Sequence, residues 1–322
     1  QVTFQLDANG NITRMTYPDG YYVERFYDEL NRLTAIKLNG STTEEVSITY
    51  DALSRRATMT FANGTSTEYE FAVNNDLTGL SHSFVGSSLD ADYQFNDAHQ
   101  LMSQFVTDEQ FMWHPPSAVT TTYGAANNIN QYPTVGADTY TYNNNGCLTG
   151  DGVWTFGYDV QNRLTSAAKS GVSASYLYDP LNRQSQKDVG GTKTRFIYNG
   201  AQRIAEYNGT SGSLITRFVY AKGLDEPVVE VTSAGIKSYF HRDRQGSIIA
   251  KTDDTGAVTQ RNEYGPFGES AALSGISFGY TGQRYDAESG LYFYKTRYYS
   301  PVIGRFLQPD TMQKEAGSPR CP

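Results

Sequence analysis

A short phrase returns along this chain: an aromatic residue, Asp or Asn, two or three further residues, then often Asn-Arg and an apolar residue. The clearest copies are Tyr27-Asp28 with Asn31-Arg32-Leu33, Tyr50-Asp51 with Arg55, Tyr158-Asp159 with Asn162-Arg163-Leu164, and Tyr178-Asp179 with Asn182-Arg183. Looser copies stand at Phe95-Asn96, Tyr142-Asn143 and Tyr198-Asn199. Asp7 to Asp28 is 21 residues and Asp28 to Asp51 is 23; Asp51 to Asp97 and Asp97 to Asn143 are 46 each, or two units, with a degenerate copy near Asn74-Asn75 in the first gap. Asp159, Asp179 and Asn199 follow at intervals of 16, 20 and 20, and weaker copies fall at Tyr220, His241 and Tyr264. A unit of about 20 residues holds two strands of roughly 5–6 residues and two turns. One such unit cannot bury its own apolar face, so the copies must stack, and the stack is the fold.

The residue mix agrees. Tyrosine is abundant (25 residues) and tryptophan scarce (2), and the chain lacks helix-forming Ala-Leu-Glu-Lys stretches. The expected class is all-β: hairpins in a long antiparallel sheet. The strands before the turns share one register, as in Tyr140-Thr141-Tyr142, Tyr176-Leu177-Tyr178, Phe196-Ile197-Tyr198, Phe218-Val219-Tyr220 and Tyr239-Phe240-His241. Residues two apart share a strand face, so each unit offers two rings to one face. Cross-strand ring pairs contribute about 0.2–1 kcal/mol each. Rows of tyrosine are therefore explained first as structure and second as a sugar-binding platform.

The Asp or Asn after the ring is expected to accept backbone hydrogen bonds in a turn, and the following Asn or Gly to adopt the left-handed conformation. The Arg is then expected to reach a carboxylate on the next unit. Hairpin turns are predicted at Asn39-Gly40, Asn63-Gly64, Asn208-Gly209 and Asp253–Gly256. The glycosylation-like sequences beginning at Asn63 and Asn208 are read as these turns, and Asp7–Asn11, superficially a calcium loop, as another. The segment 108–138, with Pro115-Pro116, breaks the rhythm and reads as a degenerate repeat pair or a plugging loop.

A formal net charge of −8 argues against a nucleic-acid partner. Cys147 and Cys321 are too few and too distant for a disulfide framework or metal site, and no stretch approaches the roughly 18 apolar residues of a membrane span. His82, His99, His114 and His241 are scattered at no metal or triad spacing. No cofactor or metal is expected. The start at Gln1, without a leader, reads as a fragment or processed piece with an N-terminal continuation.

The units resemble YD repeats, the building block of RHS (rearrangement hot spot) proteins. The run Tyr264-Gly265-Pro266-Phe267-Gly268-Glu269, Tyr280-Thr281-Gly282-Gln283-Arg284-Tyr285-Asp286, Glu288-Ser289-Gly290-Leu291-Tyr292-Phe293-Tyr294, Arg297-Tyr298-Tyr299-Ser300-Pro301 and Gly304–Asp310 is similar to the RHS repeat-associated core, as is Arg242-Asp243-Arg244-Gln245-Gly246-Ser247. The resemblance covers essentially the whole chain. It implies a sheet that spirals into a hollow or partly hollow β-shell, closed by the core. The expected division is a YD-repeat shell segment at residues 1–240, the core at 241–312 and a short variable tail at 313–322.

By the same resemblance, the shell encloses a polypeptide payload in polymorphic toxins and toxin complexes, and animal teneurins carry a similar shell. The expected partners are an encapsulated or downstream polypeptide and the N-terminal part of the shell, at a secreted or cell-surface location. A surface adhesin with affinity for glycans is the alternative from a different class. In toxin-complex relatives the core cuts its own chain with two aspartates, and their motif counterparts here are Asp286 and Asp310, with Arg297 and Arg305 between them. Two close carboxylates cannot both ionise easily, so one can hold a proton while the other activates water. The expected Pro-x-Gly after the last aspartate is replaced by Thr311-Met312-Gln313. That leaves, beside self-cleavage, a purely structural pinning of the core by Asp286 and Asp310 on Arg297 or Arg305.

Overall fold

The aspartate–arginine turns of the repeat close in the same way in the computed structural model, which describes residues 1–115, 120–270, 273 and 275–310. At Asp179, one carboxylate oxygen accepts the backbone N–H groups of Leu181 and Arg183, both at 2.9 Å, and the other accepts Arg183 Nε at 2.7 Å. Asn182 between them is left-handed, with φ 62°, as are Asn31, Asn75 and Asn162 in their units. The arginine thus pairs with the aspartate of its own turn, which corrects the expectation that it would reach a carboxylate on the next unit. The closed turn brings residues i and i+4 side by side, so the nearest anion is always the local one. Asp28–Arg32, Asp51–Arg55 and Asp159–Arg163 repeat the pairing.

The arginine reaches the next unit through a ring instead. Its guanidinium stacks on the following tyrosine: Arg32 lies 4.6 Å from the Tyr50 ring centre, Arg163 4.9 Å from Tyr178 and Arg183 5.0 Å from Tyr198. The tyrosine hydroxyl then reaches back. Tyr50 donates to the Leu33 carbonyl at 2.7 Å, Tyr178 to Leu164 at 2.8 Å, Tyr198 to Gln184 at 2.8 Å and Tyr220 to Arg203 at 3.0 Å. Ring, acid and arginine therefore form one continuous fastening from unit to unit.

At these rings the strand register also slips, as between Phe26 and Tyr27, Thr49 and Tyr50, Leu177 and Tyr178, and Val219 and Tyr220. An extra residue in one strand of a pair bends it and increases its twist. A bulge repeated at each YD turn turns a flat ribbon into a coiling one.

The strands lie in sequence order, every neighbour antiparallel. Ten of them, Thr3–Leu6 to Leu101–Val106, make a first sheet, and thirteen, Thr141–Tyr142 to Val258–Arg261, a second. The irregular segment divides the two. It contributes the single turn Glu109–Phe111, the pair Thr134–Val135 and Asp138–Thr139, and a turn at Asn127, whose side chain accepts from Ile129 and Gln131 as a YD aspartate does. Most of Asp108–Asp138 is thus described, whereas Pro116 and the tail 313–322 lie outside the described residues. The second sheet runs unbroken past residue 241, and a four-stranded sheet, Arg284–Asp286 to Arg305–Phe306, follows it.

The faces that carry the apolar residues meet. Met15, Val23, Leu33, Ile36, Val46, Ile48 and Met59 of the first sheet share a core with Ile204, Phe218, Val229, Val231, Phe240 and Ile248 of the second. Polar groups cross the same boundary. Tyr17 donates to the Phe218 carbonyl at 3.0 Å, Glu45 takes Lys237 at 2.7 Å and Tyr239 at 2.8 Å, and the buried Glu226 takes both Arg56 and Arg242 at 2.5 Å. Over this stretch the space between the sheets is filled by side chains.

Candidate functional site: the end sheet and its lock on the wall

Strand alternation sorts the four-stranded end sheet into two faces. The pairings Arg284–Phe293, Asp286–Leu291 and Phe293–Tyr298 put these residues on one side, and Tyr285–Tyr292, Tyr294–Arg297 and Tyr299–Phe306 put theirs on the other. The first side is seated on the second large sheet. Leu291, Phe293, Tyr298 and Leu307 pack with Leu148, Phe156, Leu164 and Tyr176, and Leu148 N–H donates to the Leu307 carbonyl at 2.8 Å.

Asp286 sits in this interface with no exposed surface. Lys187 Nζ donates to one of its oxygens at 2.7 Å and the Tyr298 hydroxyl to the other at 3.0 Å. Lys187 is shared with Glu288 at 2.9 Å. Behind Tyr298 the chain of donors continues: Gln184 Nε2 donates to the Tyr298 hydroxyl at 2.8 Å, and Arg203 Nη2 to Gln184 Oε1 at 2.6 Å. Arg284, on the same side of the end sheet, pairs with Glu206 of the wall.

The charges of this cluster oppose one another in an ordered way. Burial pushes the Asp286 carboxyl up, but Lys187, Arg203 and Arg284 outweigh it and hold the group below the usual carboxylate range. Burial and the Asp286 charge push Glu288 up. Burial depresses Lys187, and the two acids more than reverse that. Asp286 is therefore ionised and fully partnered at neutral pH, with Glu288 the more easily protonated of the two.

Asp310 and Arg297 lie together on the opposite side: Asp310 is mostly exposed, and Arg297 Nη2 stands 3.2 Å from its carboxylate while the guanidinium stacks 3.8 Å from the Phe306 ring centre. Arg305 goes elsewhere, donating to the Asn130 carbonyl at 2.8 Å and stacking on Tyr132 at 4.5 Å, so that it ties the end sheet to the irregular segment. The structure thus brings Asp310 to Arg297 and Asp286 to Lys187. The acid that shares a cation with Asp286 is Glu288.

Sequence reasoning missed Lys187, Gln184, Arg203 and Tyr298 as members of the site. Glu288 and Tyr298 stand within quoted core motifs and could have been suspected. Lys187 lies 99 residues from Asp286 and carries no local signal. Among the described residues no group of three or more His, Cys, Asp or Glu is placed to hold a metal ion, and no helix is long and apolar enough to cross a membrane.

Known proteins share this architecture. The chain is 31% identical over 193 residues to the tRNA nuclease WapA of Bacillus subtilis (strain 168), covering 57% of this chain and 8% of that protein. It is 26% identical over 202 residues to the double-stranded DNA deaminase toxin A of Burkholderia cenocepacia (51% and 14%), and 24% over 322 residues to mouse teneurin-3 (96% and 11%). It spans only a small part of each. Among solved structures, the TcdB2-TccC3 complex superposes with a TM-score of 0.69 at 18% identity over 96% of this chain and 21% of that one. The Photorhabdus luminescens Tc holotoxin pore gives 0.71 at 18%, over 98% and 20%. Those likenesses show the fold: long antiparallel sheets of YD hairpins in the arrangement of a toxin-complex shell. The family described as Teneurin YD-shell matches residues 4–319, and the chain belongs to it.

Proposed function

We propose that this chain is a non-catalytic part of a container wall, residues 1–240, together with its closing core, residues 241–312, and that the complete shell houses and presents a polypeptide. The observation that carries the reading is the end sheet, seated on the buried face of the wall and held there by the Lys187–Asp286–Tyr298 network. A closing element needs such a lock. The names of relatives, a tRNA nuclease and a DNA deaminase toxin, support a separate polypeptide as the active cargo, since this chain matches 8% and 14% of them. A secreted or cell-surface setting goes with that reading. The hydroxyls of Tyr50, Tyr178, Tyr198 and Tyr220 are spent on backbone carbonyls and several rings lie under arginines, so the rows are better suited to holding a wall than to presenting a sugar platform.

The test uses the full-length protein with a protease site placed in the segment after Pro322. The site is expected to resist cleavage in the native protein and to become sensitive in Lys187→Met, which leaves Asp286 without its cation. Equal, rapid cleavage in both proteins overturns encapsulation.

A further inference from the structure

His82 and His241 are far apart in sequence and come from different sheets, His82 from the strand Leu77–Phe84 and His241 from Lys237–Arg242. Their rings meet edge to face across the boundary, with centres 5.9 Å apart, and each residue is 1% exposed. Phe61 and Phe84 close on His241, each at 4.9 Å, and Phe84 stacks on His82 at 6.1 Å. The polar partners are hydroxyls: Thr67 to His82 Nδ1 at 2.9 Å, and Thr252 and Thr65 to His241 Nε2 at 3.2 and 3.4 Å. His82 Nε2 and His241 Nδ1 are buried with no hydrogen-bond partner among the described residues.

A hydroxyl can serve either form of an imidazole, but a protonated ring needs two acceptors and a nearby anion to be stable in an apolar site. Around His82 the support for a charge is Asp90 and the Arg242 backbone carbonyl, which burial outweighs and the Arg242 guanidinium, itself paired with Glu226, opposes. Asp243 and the phenols Tyr93 and Tyr264 line the small cleft next to His82, with Asp243 already accepting from Gln245 and Ser247. On His241 the titratable neighbour that acts is His82 itself, which opposes its charge. Two imidazolium ions at this separation would repel each other in low dielectric.

We propose that His82 and His241 form an acid-sensitive latch between the two large sheets: as neutral rings they complete the shared core, and proton uptake opens the boundary. The inference rests on the fold alone and stands or falls separately from the encapsulation reading. The sign follows from the burial of both groups. Burial, the dominant cause, takes His82 down to about 4 and His241 well below its ordinary 6.5. The closed state is therefore fully favoured above pH 6.5 and loses ground as pH falls below it, because the opened rings bind protons and the closed ones do not. Once the pH is well below 6.5, and until the closed rings also bind protons, each such ring multiplies the opening constant by about ten per pH unit, so the pair gives about a hundredfold.

The test is hydrogen exchange read by mass spectrometry between pH 7 and 4.5, corrected for the intrinsic rate, on the native protein, each single Gln variant and His82→Gln/His241→Gln. Glutamine keeps a neutral polar group for the threonines. Well below pH 6.5, native exchange in Ser66–Phe71, Leu77–Phe84 and Lys237–Arg242 is expected to rise about a hundredfold more per pH unit than in the double variant, and about tenfold more than in either single one, while above it the profiles run parallel. The strand Leu291–Tyr294, outside the boundary, is expected to show no such difference. Profiles for native and double-variant proteins that stay parallel below pH 6.5 as well overturn the latch. Should the variants not fold, nitrogen NMR of the native imidazoles decides: rings neutral down to pH 5 support it, and a ring titrating near 6 or above refutes it.

Discussion

Replacing Glu226 by Gln removes one charge and keeps the side chain's shape, and the structure says why this should be costly. Glu226 is 1% exposed. One of its oxygens accepts from Arg56 of the first sheet and Arg242 of the second, both at 2.5 Å; the other accepts from Arg56 at 3.2 Å and from the Gly223 N–H at 2.7 Å. An amide can keep only one oxygen, and its nitrogen must face a donor. Breaking a buried ion pair from one side costs about 3–5 kcal/mol. Both arginine side chains remain 19% exposed, so water can relieve part of the loss, and the lower end, about 3 kcal/mol, is the expected value. Burial pushes the Glu226 carboxyl up, but Arg242 and Arg56 prevail and hold it below its ordinary 4.5. Its contribution is therefore complete above pH 4.5 and fades as pH falls through the depressed value. Urea unfolding at pH 7, followed by far-ultraviolet circular dichroism, measures the loss. A change under about 1 kcal/mol, the range of exposed pairs, refutes the argument that this acid rivets the two sheets.

Three further outcomes follow from the repeat and the end sheet. Tyr220→Phe deletes a hydroxyl that donates to the Arg203 carbonyl inside the core, and should cost about 1–3 kcal/mol in the same unfolding assay. Asn182→Ala forces a β-carbon into a left-handed position at φ 62° and should cost about 1 kcal/mol, whereas Asn182→Gly should be close to neutral; equal losses would count against backbone strain as the cause. In a chain extended past Pro322, a discrete fragment ending near Asp310 that vanishes in Asp286→Asn, seen by intact-mass spectrometry, would establish self-cleavage; the same full length for both proteins would exclude it.

The repeat was legible because its signal is local. Aromatic, Asp, Asn and Arg stand within six residues, and the Asx turn, the left-handed Asn and the hairpins at Asn39-Gly40 and Asn63-Gly64 depend on that spacing alone. The arginine's partner was misread because an acid on a neighbouring unit looks as close on paper as one across a closed turn. The predicted turn at Asn208-Gly209 is present, but the left-handed residue is Gly212, since the loop runs to Ser213 before the strands rejoin. What sequence could not supply was long-range pairing. Glu226 with Arg56, His82 with His241 and Lys187 with Asp286 are joined by the coiling of the sheets, which is set by bulges accumulated over many units and leaves no pattern at any one of them.

The end sheet bears directly on what the two motif aspartates can do. A carboxylate dyad that works as acid and base needs its members to share a proton, and so to share a site. Here alternation in the strand Arg297–Ser300 separates them: Tyr298 turns its hydroxyl to Asp286 on the wall side, and Arg297 turns its guanidinium to Asp310 on the other. Bringing the two acids together would require Asp286 to leave Lys187 and Tyr298, or the more exposed Asp310 to leave Arg297 and change face. Cleavage by this pair would therefore have to follow a rearrangement of the end sheet, so a cut in the native protein would have to come from a state other than this one.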